Sequence, residues 1–297
     1  MHLSEAGEFI LGYPDNRGTE TLLPTLPASK DPLNLLPVYQ PDQGTGNLPN
    51  FAKSGVNADR AFGRNGSYIV IRQLAQDVTA FDNFLDKAAK KYKSHKGIPA
   101  GYEHYQIKEF LAAKMVGRWK DGTSLVKYPY KPGTGWDGKT PNRRPDNDFL
   151  LGQEDPTGTS CPYGSHIRRS NPRDSFAPHD QTQLDIVNRH RILRRGRFYK
   201  DKAGKADTGL LFVCFNADIE RQFEFIQQTW CQAKQFMGLD NEVDPILGRG
   251  GKMGRVTIPT PEGPIFLKGS PDAVTVVGGE YFFMPSKSAL TYLAQAI

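Results

Sequence analysis

One fourteen-residue stretch, C-P-Y-G-S-H-I-R-R-S-N-P-R-D from Cys161 to Asp174, holds the densest chemistry in the chain. His166 has two readings there. In the first it is an ordinary loop histidine satisfied by backbone hydrogen bonds. In the second it is an axial ligand. No second histidine stands at metal-ligand spacing, which makes a poor zinc site. A single histidine is enough for a haem iron, provided its other ring nitrogen finds a carboxylate or carbonyl. Arg168, Arg169 and Arg173 then offer guanidinium forks suited to carboxylates, such as two haem propionates. Cys161 is a rival, because a thiolate also holds haem iron. Its plainer reading is a small buried residue.

Two further stretches carry chemistry. N-R-H-R-I-L-R-R-G-R-F-Y, residues 188–199, contains five arginines: Arg189, Arg191, Arg194, Arg195 and Arg197. They read as a solvated face, as a phosphate-tracking patch on nucleic acid, or as the source of one arginine that stabilises charge on a small oxygen substrate. No nucleic-acid motif frames them. In N-A-D-I-E-R-Q-F-E-F, residues 216–225, Asp218 reads first as an N-terminal helix residue favoured by the macrodipole. Its second reading is the carboxylate behind an axial histidine.

The elements that must position these residues are sparse. Gly 30 and Pro 22 together make up about one residue in six of the 297, which predicts long ordered loops. Residues 1–62 read as an extended segment wrapping over residues 63–297, which form the main domain. S-Y-I-V-I-R-Q-L, 67–74, is β-branched and predicts a strand. Thr79 and Asp82 give a helix start signal, with Phe81, Leu85 and Ala88 on one face. Ile107, Leu111 and Met115 predict a second helix over about 104–115, with Gly117 to cap it. From Gly117 to about Pro178 there is little pattern, and so long a loop inside a domain is usually functional. Residues 209–216 read as a buried strand. Ile219, Phe223, Ile226 and Trp230 then make a helical apolar face. Residues 273–285 read as two short strands turning at Gly278-Gly279. The order suits an α+β fold: a ferredoxin-like antiparallel sheet with helices on one face and long loops.

The net charge of +6 favours an anionic partner of unspecified kind. The three cysteines, Cys161, Cys214 and Cys231, are too few and too widely spaced for a disulfide framework. There is no secretory signal pattern and no apolar run long enough to span a bilayer, so the expectation is a cytoplasmic protein with no membrane partner.

Several segments resemble one family, the dye-decolourising haem peroxidases. They are N-D-F-x-x-x-x-x-D-P-x-G-x-x-C-P-x-G-S-H-I-R-R-x-N-P-R-D, R-I-L-R-R-G, and G-L-L-F-V-C-F-N-A-D-I-E-R-Q-F-E-F-I-Q-Q-x-W. G-E-F-I-L-G-Y-P, A-K-M-V-G-R-W and G-G-E-Y-F-F-M-P resemble it too, in the same order from Gly7 onward. The resemblance implies a pair of ferredoxin-like halves, an α+β barrel-type peroxidase with haem b (iron protoporphyrin IX) in the C-terminal half. It implies His166 as the iron ligand and Arg194 as the distal arginine that aids cleavage of the peroxide O–O bond. Leu210 and Phe212 would line the distal pocket. Asp218 would be the proximal carboxylate, and Arg168 and Arg173 the propionate partners. The implied activity is one-electron oxidation of bulky aromatic or dye-like donors by hydrogen peroxide, with Trp119, Trp136 and Trp230 as surface-relay candidates, although Trp230 reads as a core residue.

This chain departs from the family pattern at one point. The family's distal acid lies in a G-x-x-D-G motif upstream of the segment that begins here at Gly7. Gly117–Gly122 and Gly133–Gly138 each have one residue too many. The expectation is a chain without the N-terminal half, its turnover weakened, working with a separate N-terminal half or as a homo-oligomer. The alternatives are a haem-binding module without turnover and, third, a basic nucleic-acid-binding domain without haem.

Overall fold

The computed structural model describes residues 28–30, 62–63, 66–133, 149–200, 208–249 and 254–296. Apart from Ala28–Lys30 and Phe62, the expected wrapping segment lies outside them, as does Trp136.

The sheet forms where the sequence is β-branched and aromatic. β1, Ser67–Gln76, pairs antiparallel with β4, Thr208–Asn216, on one side and with β7, Val274–Met284, on the other. Two short strands, β2 at Leu193–Arg194 and β3 at Arg197–Lys200, pair with the outer side of β4. The order β2-β4-β1-β7, with β3 beside β4, is that of a ferredoxin-like sheet. Among the described residues it is open, not a closed barrel. A separate hairpin pairs β5, Arg255–Ile258, with β6, Ile265–Lys268.

β7 corrects the expected hairpin at Gly278-Gly279. One strand runs through both glycines, with a register shift opposite Gln73 and Leu74. A bulge there takes up the extra residue, so no turn is needed. A Cβ at Gly279 would lie 2.4 Å from the Ile71 carbonyl oxygen, so the glycine lets two strands approach closely.

α1, Val78–Tyr92, starts earlier than Thr79 suggests, because the Asp77 side chain accepts from Ala80 N at 2.8 Å and caps it. α2, His104–Val116, ends as expected at Gly117, which is left-handed with φ 97°. Two short helices punctuate the irregular region: α3, Leu151–Glu154, and α4, His166–Ser170. α5 covers Gln181–Asn188 and α6 Lys287–Ala296.

The helix after β4 is wound as π segments, Glu220–Glu224 and Ile226–Cys231, rather than as the α-helix its spacing predicts. Glu224 N donates to Ile219 O, and Gln232 N to Gln227 O, each five residues back. Gln222, Phe223, Ile226, Trp230 and Cys231 are still buried by it.

The apolar interior is divided. α1, α2, the β5-β6 hairpin, Trp119 and Phe149 make the largest core, which contains no residue of the main sheet. Val70 and Cys214 of the sheet pack instead on Phe223 of the π-wound helix, with Phe212 beside them. Trp230, Cys231 and Phe236 form a third cluster with Val187. The π-wound helix packs against α4 and so joins the sheet to the helical layer. On the other side of the sheet, Leu211 and Phe282 are exposed. Among the described residues no helix is long and apolar enough to cross a membrane.

Gly279→Ala is expected to destabilise the protein by about 1–3 kcal/mol through overpacking against β1. Gly278→Ala, whose Cβ meets nothing within 4 Å, should stay within about 0.5 kcal/mol in the same denaturant titration.

Candidate active site

His166 is the first residue of α4, which begins against the end of α2. A Cβ on Gly117 would meet Ile167 Cβ at 2.9 Å, so the left-handed glycine both ends α2 and lets α4 sit close. The His166 ring is half-buried, and its Nδ1 lies 2.8 Å from Asp244 Oδ2. Asp244 is completely buried. Its Oδ1 accepts from Ile246 N and Leu247 N, both at 2.8 Å. Burial alone would raise the Asp244 carboxyl, but the charge and hydrogen bond of His166 and the two backbone amides hold it below the usual value of 3.8. A carboxylate thus takes the Nδ1 proton in a hydrogen bond and fixes the ring's orientation. Nε2 has no hydrogen-bond partner among the described residues.

Cys231 completes the surroundings of the pair. Its Sγ lies within 4.8 Å of the ligand atoms of both His166 and Asp244. Burial, followed by the neighbouring Asp244, pushes its thiol well above 9, so it stays protonated. A protonated thiol and a carboxylate already committed to three donors make a poor three-ligand metal site. The donor set fits an ion that needs one imidazole and brings its remaining ligands with it, as haem iron does.

The carboxylate behind His166 is therefore Asp244 and not Asp218. Asp218 accepts from Arg221 N at 3.0 Å and serves the start of the π-wound helix, its simpler reading. Nothing local in the sequence marks Asp244. It stands 78 residues from His166 and only the fold joins them.

Arg168 also differs from its expected role. It is fully buried and donates to Asp155 Oδ2 at 3.0 Å, to Cys161 O at 2.8 Å and to Leu151 O at 3.2 Å. Its remaining bonds reach Ser175 Oγ and Asp155 O. Every donor points inward, so no fork remains for a propionate. Asp155, missed by the sequence reading, also accepts from Ser160 N and Cys161 N and ties the loop before His166 to the arginine. Arg169 is buried too and donates to Trp230 O, Ala233 O and Glu242 O. The arginines of H-I-R-R are struts that hold the loop.

Arg173 lies differently. Its guanidinium stacks 3.8 Å from the Phe149 ring centroid and donates to Phe149 O. Burial, then repulsion from Arg118 and Arg191, lowers it to about 10. Arg118 and Arg191 thus lie close enough for their charges to act on it, with the Asp174 carboxylate acting the other way.

Cys161 is no ligand: it is buried, its Sγ is 3.3 Å from Ser165 Oγ, and burial raises its thiol. Trp119 and Trp230 are both buried in cores.

The sheet gathers three of the expected residues. Arg194 pairs with Cys214, and partners in an antiparallel register share a face. Cys214, Phe212 and Leu210 alternate along β4, so all project on that face with Arg194. Arg194 is exposed, while Leu210 and Phe212 are half-buried, and Phe212 packs on Phe223 with ring centroids 6.1 Å apart.

The family described as "Dyp-type peroxidase, C-terminal" matches residues 139–241, the segment that holds His166, Arg194, Leu210 and Phe212. Through this region the chain matches the C-terminal part of the dye-decolourising peroxidases. A multifunctional dye peroxidase of Amycolatopsis sp. is 32% identical over 255 residues, covering 77% of this chain and 49% of the relative. A dye-decolorizing peroxidase of Mycena epipterygia is 32% identical over 268 residues, covering 78% and 48%. Among solved structures, an Anabaena sp. dye-decolourising-type peroxidase matches with TM-score 0.61 at 30% identity, over 77% of this chain and 46% of that one. A point mutant of the Pleurotus ostreatus dye-decolorizing peroxidase matches with TM-score 0.63 at 29% identity, over 80% and 53%. The chain spans about half the length of these relatives. Dye-decolourising peroxidases are haem enzymes, and the pairing of His166 with a buried carboxylate fits that cofactor.

Arg168→Ala should cost about 3–5 kcal/mol in a denaturant titration, because it strands the buried Asp155 charge. A propionate partner would instead weaken haem binding with little loss of stability. Asp244 supplies an acid-side test. A carboxyl depressed in the fold stabilises fully above its unfolded value of 3.8, and that contribution fades as pH falls through the lower folded value. Asp244→Asn should therefore be less stable than the parent at neutral pH and lose less stability on acidification below about pH 4.

Proposed function

We propose that His166 holds the iron of haem b through Nε2, and that the loaded domain serves hydrogen-peroxide-dependent, one-electron oxidation of bulky aromatic or dye-like donors. The observation that carries this reading is the His166–Asp244 pair: a buried carboxylate on Nδ1, with Nε2 left for a ligand.

When bound, haem supplies the redox chemistry between peroxide and donors. This chain's residues do the rest. Asp244 keeps the Nδ1 proton shared, which raises the basicity of Nε2 and fixes its aim. Arg194 brings a permanent charge to the sheet face and stabilises negative charge developing on a peroxide oxygen. Leu210 and Phe212 shield that oxygen from water. Arg173, beside Arg118 and Arg191, offers positive charge to the propionates. Asp218 stays with its helix.

A general acid on the distal side contributes roughly 10²- to 10⁴-fold in such reactions. A second ferredoxin-like half is the proposed source of that group.

Haemin titrated into the purified chain should give a Soret band characteristic of imidazole ligation. His166→Ala should lose that signature and recover it with added imidazole. Asp244→Asn should weaken haem affinity or dye oxidation by about 10–100-fold. An unchanged Soret band in His166→Ala overturns the assignment.

A further inference from the structure

Away from His166, α1 and β6 enclose a groove of about 450 Å³, within the roughly 300–1,000 Å³ of small-molecule sites. Its walls carry three aromatic rings, Phe84, Tyr92 and Phe266, and three lysines, Lys87, Lys91 and Lys268. No acidic residue lines it. Phe84, Lys87 and Lys91 fall on one face of α1 because they are spaced by three and four. β6 alternates, with Ile265 and Leu267 buried while Phe266 and Lys268 face out. The Tyr92 hydroxyl donates to the Phe266 carbonyl and ties the helical wall to the strand wall.

Lys90 on the same helix pairs with Asp86 at 2.7 Å, and Lys108 of α2 pairs with Asp82. Among the described residues no carboxylate pairs with Lys87, Lys91 or Lys268. Lys87 and Lys91 are one helical turn apart, where like charges repel. Lys91 Nζ already lies 4.9 Å from the Tyr92 ring centroid, a cation over a π face. An inorganic anion would neutralise the lysines and leave the rings unused. A neutral arene would do the reverse.

We propose that this groove binds a small aromatic anion, an arene carboxylate or sulfonate, with its ring against Phe84 and Phe266 and its charge among Lys87, Lys91 and Lys268. The site lies apart from His166 and stands whether or not haem binds there.

The test is isothermal titration of the full chain with 2-naphthalenesulfonate. The triple variant Lys87→Gln, Lys91→Gln, Lys268→Gln should bind about tenfold more weakly, the sum of three exposed ion pairs. Lys90→Gln, on the same helix but outside the groove, should bind as the parent does. Raising the salt should weaken binding to the parent more than to the triple variant. Equal affinity in the triple variant places the ligand elsewhere and overturns the proposal. So does equal binding of 2-naphthyltrimethylammonium, which has the ring and the opposite charge. Equal competition by methanesulfonate would reduce the groove to a plain anion site, and tighter binding of an oligoglutamate would make it a peptide surface. Either result overturns it too.

Discussion

One buried carboxylate organises the site. Asp244 lies wholly inside the protein and is held ionised by His166 on one oxygen and two backbone amides on the other. A charge in that position is tolerable only while all its partners remain. The loop from Cys231 to Leu247, the π-wound helix before it and α4 must therefore keep their relative places. Asp244 N also donates to Cys231 O at 2.8 Å, which ties the carboxylate to the end of that helix. The histidine is thus aimed by the same interaction that closes this corner of the fold.

A second buried pair supports the first from the other side. Arg168 and Asp155, both buried, stitch together α3, the Cys161 loop and α4. Arg169 reaches the carbonyls of Trp230, Ala233 and Glu242, and so joins α4 to the segment that carries Asp244. Two adjacent arginines splay in different directions from one short helix. Between them they spend charge on rigidity, while Nε2 of His166 is left without a hydrogen-bond partner among the described residues.

The elements were legible where local patterns are strong. β1, β4, α2 and the Gly117 cap follow directly from β-branched runs, helical spacing and a glycine's freedom at positive φ. Legibility failed where tertiary contacts override the local signal. Gly278-Gly279 looks like a turn, yet pairing with β1 carries the strand through it. The spacing of Ile219, Phe223, Ile226 and Trp230 looks α-helical, yet the backbone is wound as π. The short strands β2 and β3 have no pattern of their own and exist because β4 offers an edge.

At the site, the sequence by itself marked the loop, the histidine in it as a candidate ligand, and the strand that carries Leu210 and Phe212. Those are local facts of residue type and strand period. Only the tertiary structure decided which acid stands behind His166 and which arginines are spent on the interior. Asp218, the nearer guess, caps a helix, while Asp244 arrives from 78 residues away. The reason is physical: the preference of a carboxylate or guanidinium for a partner is strong but carries no address in the sequence. Burial supplies the address, since the pair that loses water together must satisfy itself completely.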